Sequence, residues 1–401
     1  MDDGTRDRFS AATPLFALLR HPQGGAVVDR YLPGLTRSAE LHTLHGFAVG
    51  LVAATDDALA RDPARHDAFL AEVAALDPAA ERRTPAREAA VVPSPAYEDA
   101  GIAAGSAAWN ATTVVPCYGR FELELRGPSH GNPFVEVAIA AWIAGPDGTV
   151  RVPGFYDGDG VFCVRYMPEC SGDYTWTTIS NARSLDGIAG TFTVMPPLPG
   201  AHGPVRVADT FHFAHADGTR HRPLGTTAYA WTHQGDALEE KTLATLATSP
   251  FTKIRMCVFP KSYLYNENEP EHFPFEGDLA QGFDLQRFNV ASWRHLERRI
   301  AQLADLGIEA DLILFHPYDR WGFSTMDPVA DDRYLAYAVA RLASFANVWW
   351  SLANEYDLLF AKTEADWERF AAIVQRDDPS RHLLSIHNCR PFYDHSRPWV
   401  T

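Results

Sequence analysis

Apolar residues near the start of the chain recur at helical spacing. Pro14 opens a run with Leu15, Phe16, Leu18 and Leu19, and Val27, Val28, Tyr31 and Leu32 follow before Pro33-Gly34. Residues 67–76 repeat the pattern with Phe69, Leu70, Val73 and Leu76. The spacing predicts a small helical module over residues 1–76. Residues 77–95 are rich in Ala, Pro, Arg and Glu and close on Val-Val-Pro-Ser-Pro, so 77–106 reads as a linker.

From Trp109 the period shortens to two. Phe121, Leu123 and Leu125 alternate with polar neighbours, and strands are expected over 134–143, 161–166, 174–178 and 191–194. Turn clusters separate them: Gly145-Pro146-Asp147-Gly148, Asp157-Gly158-Asp159-Gly160 and Ser171-Gly172-Asp173. Short strands with regular turn signals predict an Ig-like β-sandwich over 107–196, bounded by a Pro-rich stretch at 196–200.

A third pattern begins at about residue 205. A hairpin over 210–224 precedes apolar runs that alternate with amphipathic ones. Strands are expected at 226–231, 253–259, 310–315, 348–352 and 383–387, with helices at 237–248, 293–306, 331–346 and 364–375. Trp293, Leu296, Ile300, Leu303 and Leu306 mark one helix face, and Gly307 stops that helix. Five strands joined by four helical crossovers predict a parallel sheet, and a TIM-type (β/α) barrel over 205–401 is its commonest closed form. The whole chain is thus multidomain: helices, sandwich, then an α/β barrel of about five βα units. Residues 261–289 are too long for a simple βα loop and are expected to fold over the barrel mouth.

Composition narrows the partners. The 401 residues carry a net charge of −16 with only four lysines, and no basic run is present, which disfavours nucleic acid and anionic membrane. No apolar run has the length of a membrane span, and the first residues lack a secretory pattern. Five dispersed cysteines without a Cys-x-x-Cys pair fit free thiols, so a cytoplasmic protein is expected. Oligomeric state is not legible.

Active sites of such barrels sit at the C-terminal strand ends. Those ends carry Trp231 and His233; Arg255 within the second strand; His316, Tyr318, Asp319 and Trp321; Asn354-Glu355; and His387-Asn388. The Asn354-Glu355 pair closing an apolar strand resembles the Asn-Glu pair of the clan A retaining glycoside hydrolases. The runs 316–321 and 349–357, with Gly127-Pro128, Gly131-Asn132-Pro133-Phe134 and 154–160 in the sandwich, resemble a bacterial branch of that clan that carries an Ig-like domain before the barrel. The resemblance covers roughly residues 107–401.

It implies that Glu355 is the acid/base. Such a group must donate a proton to a poor leaving group near neutral pH, and aromatic walls from Trp350, Tyr356 and Trp321 would favour its neutral form by desolvation. The resemblance also implies that Asn354 bonds the sugar 2-hydroxyl, that Arg255 holds the nucleophile, and that His316 and His387 line the sugar subsite. Trp231, Tyr318, Asp319, Trp321 and Asn388 join them as candidate substrate contacts. The expected partner is a carbohydrate, with no cofactor and no metal. Plainer readings stand beside these: Glu355 as a carboxylate at a helix start, Arg255 as an interior ion pair, His316 as a loop residue, and Tyr318 and Trp321 as core aromatics.

In the family the nucleophile is a Glu ending the seventh strand, whereas this sequence stops shortly after the fifth. The expectation is therefore a fragment of a longer product, with a naturally truncated, inactive glycosidase as the alternative; an open sheet edge, poor solubility and no activity on aryl glycosides by itself are expected. Asp319 is the nearest substitute nucleophile. A non-catalytic carbohydrate-binding protein is one alternative. A metal-dependent hydrolase built on His316, Asp319 and His387 is another, disfavoured because the first strand lacks a His-x-His pair. Gly127-Pro128-Ser129-His130-Gly131 matches a serine-hydrolase elbow but lacks the strand–helix context, and Asp157-Gly158-Asp159-Gly160 lacks the later positions of a calcium loop. His212, His215 and His221 are close in sequence. A spacing of three puts the first two on opposite faces of a strand, which disfavours a zinc site.

Overall fold

The computed structural model describes residues 8–38, 41–44, 46–78, 89–263, 266, 268–390 and 392–401. The linker expectation falls in part on 79–88, outside the described residues.

Among the described residues six helices come first: α1 Leu15–Arg20, α2 Gly24–Tyr31, α3 Leu41–Leu44, α4 Val49–Thr55, α5 Asp57–Ala60 and α6 Pro63–Ala75. Leu15, Leu18, Val28, Val49, Phe69 and Val73 form their common core. Asp62 caps α6 by accepting from the Arg65 N–H, and Pro63 sits where a missing N–H costs nothing.

The β-sandwich-like unit follows with β1 Ala108–Ala111, β2 Val114–Pro116, β3 Phe121–Arg126, α7 Pro133–Glu136, β4 Ile139–Gly145, β5 Gly148–Tyr156, β6 Val161–Tyr166, β7 Gly172–Ser180 and β8 Ala189–Met195. Strand order is β1-β3-β6-β5-β4-β7-β8-β2. Strand β5 pairs with β4 over its first part and with β6 from Gly154 onward, so one long strand joins both halves. Gly154 is required at that crossing, because a Cβ there would lie 2.7 Å from the Cys163 carbonyl oxygen. Phe121, Leu123, Leu125, Trp176 and Phe192 fill the space between the layers. The strand expected at 134–143 is shorter than its apolar run. Pro133 starts the helical turn α7, and the ring of Phe134 packs on Phe288 and Tyr337 of the following unit.

A three-stranded antiparallel sheet, β9 Val205–Ala208, β10 His212–His215 and β11 Arg220–His221, leads into the α/β region. That region comprises β12 Gly225–Thr227, α8 Asp236–Leu246, β13 Lys253–Cys257, β14 Phe275–Asp278, β15 Gly282–Phe288, α9 Val290–Asp305, β16 Glu309–Phe315, α10 Pro328–Leu342, β17 Val348–Ala353, α11 Glu364–Asp377 and β18 Leu384–Ser385. Strands β12-β13-β16-β17-β18 form one parallel sheet in that order. Every residue of β16 and β17 is buried, as helices on the faces of a parallel sheet require. The first strand ends at Thr227 rather than at 231; Trp231 begins a 3-10 turn instead. The 261–289 stretch contains the β14–β15 hairpin. At the far edge, the Thr401 N–H donates to the Leu384 carbonyl and Leu384 N–H to the Thr401 hydroxyl, so part of the β18 edge is bonded. No helix among the described residues is long and apolar enough to cross a membrane.

Candidate active site

Five parallel strands end at one face, and the residues that follow them meet there. Strand β17 runs apolar to Ala353; Asn354 extends its ladder with an N–H bond to the Phe315 carbonyl. The chain then turns at Glu355, whose φ of 56° and ψ of 58° lie in the left-handed region. For a residue with a Cβ this conformation costs about 1–2 kcal/mol, and such costs concentrate at functional sites. The turn is held by the Leu358 N–H to the Glu355 carbonyl and by the Tyr356 N–H to the His387 carbonyl, which ties the β17 and β18 ends together.

Two tyrosines orient the Asn-Glu pair. Tyr318, after β16, donates its hydroxyl hydrogen to Oε2 of Glu355. Tyr229, after β12, donates to Oδ1 of Asn354 at 3.1 Å, and Asn354 is only 1% exposed. Burial, followed by the hydrogen bond and charge of Glu355, pushes the Tyr318 hydroxyl far above its ordinary pKa, so it acts as a neutral donor. Between these rings stands Lys261, the residue four places beyond β13. Its Nζ lies 4.0 Å from the ring centres of both Tyr229 and Tyr318 and 4.7 Å from that of Tyr263. Burial lowers the Lys261 pKa, partly opposed by Cys257 and Glu355, and the ring faces supply the attraction that water would otherwise give.

Arg255 points into the sheet interior. It donates to Ser351 Oγ at 3.0 Å and pairs with Asp311 at 3.2 Å, where Lys253 also binds at 2.7 Å. It thus joins β16 and β17 and also bears on Tyr229 and His387 at the strand ends. His316 is 2% exposed; its Nε2 lies 3.1 Å from the Phe259 carbonyl, and Nδ1 has no partner. Burial drives its pKa down to about 4, so the ring is neutral with Nε2–H donating. His387 is exposed at the rim, and burial of its ring followed by nearby Arg255 lowers its pKa. Asn388 is half-buried beside it.

Three other candidates serve packing or loop order. The Trp231 indole donates to the Glu239 carbonyl at 3.1 Å inside the core. Trp321 is buried, and its indole donates to Glu269 at 3.0 Å. The Asp319 carboxylate accepts the N–H groups of Trp321, Gly322 and Ser324, shaping its loop.

Comparison with known proteins now bears on this face. Residues 208–401 match the family described as apiosidase-like, catalytic domain. Every strand end just described lies inside the matched residues. Residues 114–181, within the sandwich, match a domain of unknown function, DUF5060. The crystal structure of a provisionally assigned glycoside hydrolase from Bacteroides vulgatus ATCC 8482 is 44% identical over 72% of this chain, with a TM-score of 0.70. This chain covers 59% of that protein's length. A glycoside hydrolase family 5 protein from the same organism is 16% identical, covering 51% of this chain and 44% of its own, with a TM-score of 0.40. The Lin-41 filamin domain is 18% identical over 24% of this chain and 98% of its own length, with a TM-score of 0.19. No curated protein matches the chain.

Sequence reasoning missed Tyr229, Lys261, Tyr263 and Asp311. Lysine scarcity was the available signal for Lys261, and Asp311 stands out as a carboxylate inside an apolar strand. Nothing in the local sequence pairs Tyr229 with Asn354, 125 residues away.

Proposed function

We propose that this chain carries the acid/base of a retaining glycoside hydrolase acting on O-glycosidic bonds of an oligo- or polysaccharide. The observation that carries the reading is Glu355, held in a left-handed turn at a strand end with Tyr318 donating to its carboxylate. Glu355 protonates the departing glycosidic oxygen and afterwards takes a proton from water. Asn354, oriented by Tyr229, offers its amide N–H to a sugar hydroxyl. Retaining chemistry also needs a second carboxylate about 5 Å from the first. Asp319 is poorly suited, because three backbone N–H groups already hold it, and Asp357 is engaged by the Cys389 and Arg390 N–H groups. The nucleophile is assigned by the clan A resemblance to a seventh barrel strand. The apiosidase-like match makes apiosides the first substrates to test.

The test is turnover of aryl glycosides, beginning with apiosides, by protein containing this chain, with and without Glu355→Gln. The expected loss is about 10²- to 10⁴-fold for poor leaving groups and much smaller for dinitrophenyl ones, which need little protonation. In Glu355→Ala, azide is expected to restore rate and yield a glycosyl azide of retained configuration. Equal activity of wild type and Glu355→Gln on every leaving group would refute the assignment. Sugar binding that survives Glu355→Gln, without hydrolysis in either protein, would favour a non-catalytic carbohydrate-binding role.

A further inference from the structure

Away from the Glu355 face, the β9–β11 sheet packs against the opposite, N-terminal ends of the barrel strands. Val205 and Phe213 of this sheet meet Trp349 at the start of β17 and Leu383 just before β18. Beside this apolar plug, His215 of β10, His221 of β11 and Glu309 at the start of β16 offer ligand atoms that all lie within 4.8 Å of one another. His212 and His215 face opposite ways on β10. The fold replaces His212 with a carboxylate from the barrel.

The hydrogen bonds around the two rings do not close. His215 Nδ1 lies 2.9 Å from the Gly203 carbonyl, which places its hydrogen on Nδ1 and leaves a lone pair on Nε2. That lone pair faces His221 Nδ1 at 3.3 Å. His221 is 7% exposed and its Nε2 has no partner. If Nδ1 carries the hydrogen, Nε2 is a buried lone pair without a donor. If Nε2 carries it, that N–H has no acceptor and two lone pairs oppose each other.

A cation between the facing nitrogens would take both of their lone pairs at once, with the His221 hydrogen on Nε2. Two nitrogens bound to tetrahedral zinc at about 2.0–2.1 Å are separated by roughly 3.3 Å, which is the spacing found. Glu309 supplies the negative charge, and the Trp349 indole fixes one of its oxygens at 2.9 Å. Lys253, the register partner of Glu309 on β13, is already paired with Asp311. The other donor group, Asp236, Glu239 and His295, differs in that Arg299 binds both carboxylates, so no further cation is called for there.

We propose that His215 Nε2, His221 Nδ1 and Glu309 bind a zinc ion that staples the β9–β11 sheet to the base of the barrel, with water completing four ligands. Two imidazoles and one carboxylate suit zinc better than calcium or magnesium, which prefer all-oxygen sites.

The test is calorimetric titration of chelator-treated 401-residue chain with zinc chloride, with metal content measured after dialysis. One zinc per chain is expected. His215→Ala and Glu309→Gln should each weaken binding more than about tenfold. His212→Ala, on the other face of the same strand, and Asp236→Asn should leave it unchanged. Cobalt loading of the unmutated chain should give the intense visible bands of a four-coordinate site, a readout that does not depend on variants folding. Absence of saturable zinc binding, six-coordinate cobalt spectra, or equal affinity in folded His215→Ala would overturn the proposal and leave a buried water as the occupant.

Discussion

Arg341 on α10 lies 2.6 Å from the carboxylate of Asp157 in the sandwich, and the arginine is wholly buried. Its Nε also meets Glu297 of α9 at 2.7 Å, and Glu297 in turn binds Arg165 of β6 at 2.6 Å. Charges from the sandwich-like unit and the α/β region therefore neutralise one another inside their junction. Removing one member strands the rest in a medium of low polarity. Asp157→Ala is expected to lower unfolding stability by about 3 kcal/mol, read by urea denaturation. A double-mutant cycle with Arg341→Met should show strong coupling; strictly additive losses would mean that the pair does not join the domains energetically.

His316 gives the site region a pH dependence of known sign. Its folded pKa of about 4 lies below the ordinary value of 6.5 because the ring is buried. Above the ordinary value both states are neutral and the stabilisation is fully present. As pH falls from there toward 4, the unfolded chain takes up a proton that the folded chain refuses, so stability is lost. Between about pH 7 and about pH 4.5 this amounts to roughly 2–3 kcal/mol. His316→Gln, which keeps an N–H for the Phe259 carbonyl, should flatten the stability profile by that amount over this window. An unchanged slope would show that the imidazole remains free to protonate in the fold.

The alternating sheet and its helices were legible because strand and helix periods in 290–377 are long and uninterrupted: Val348 to Leu352, Ala310 to Phe315 and the Trp293–Leu303 face each appear where the apolar pattern puts them. Two short runs misled. Phe134 is apolar because it plugs into Phe288 and Tyr337 across a domain junction, not because it belongs to a strand. Trp231 is apolar because it packs beside α8. The Asn354-Glu355 pair could be singled out from its place at the end of an apolar run. Its two tyrosine partners could not, since each contact joins separate strand ends and carries no local period. The same holds for Glu309, which reads as a strand-start carboxylate until the fold sets two histidines beside it.

Asp319 separates a chemical role from a loop role. Three backbone N–H groups converge on its two oxygens, at 2.8, 3.2 and 2.6 Å, and the loop they shape carries Tyr318. Asp319→Ala is expected to reduce stability by about 1–3 kcal/mol through the orphaned N–H groups and to lower turnover by disordering Tyr318. The shape of the pH–rate profile should stay that of wild type. A profile that loses one limb would instead make Asp319 a participant in proton transfer or attack.

Tyr318→Phe isolates the hydroxyl that reaches Glu355. The ring is buried and Lys261 sits over its face, so the phenylalanine ring should occupy the same space and the fold should hold. What disappears is one hydrogen bond to a carboxylate, a contact of about 1.5–3 kcal/mol, equivalent to roughly a tenfold to hundredfold change in rate if it serves only the reacting arrangement. On the proposed reading the loss should fall on kcat rather than KM, because the bond orients the acid and does not touch the sugar. It should shrink when the leaving group needs no proton. Tyr229→Phe, acting through Asn354 and a sugar hydroxyl, should raise KM as well. If Tyr318→Phe leaves kcat unchanged for poor leaving groups, the tyrosine is a packing residue, and the orientation of Glu355 is secured by its turn and by the His387 contact alone.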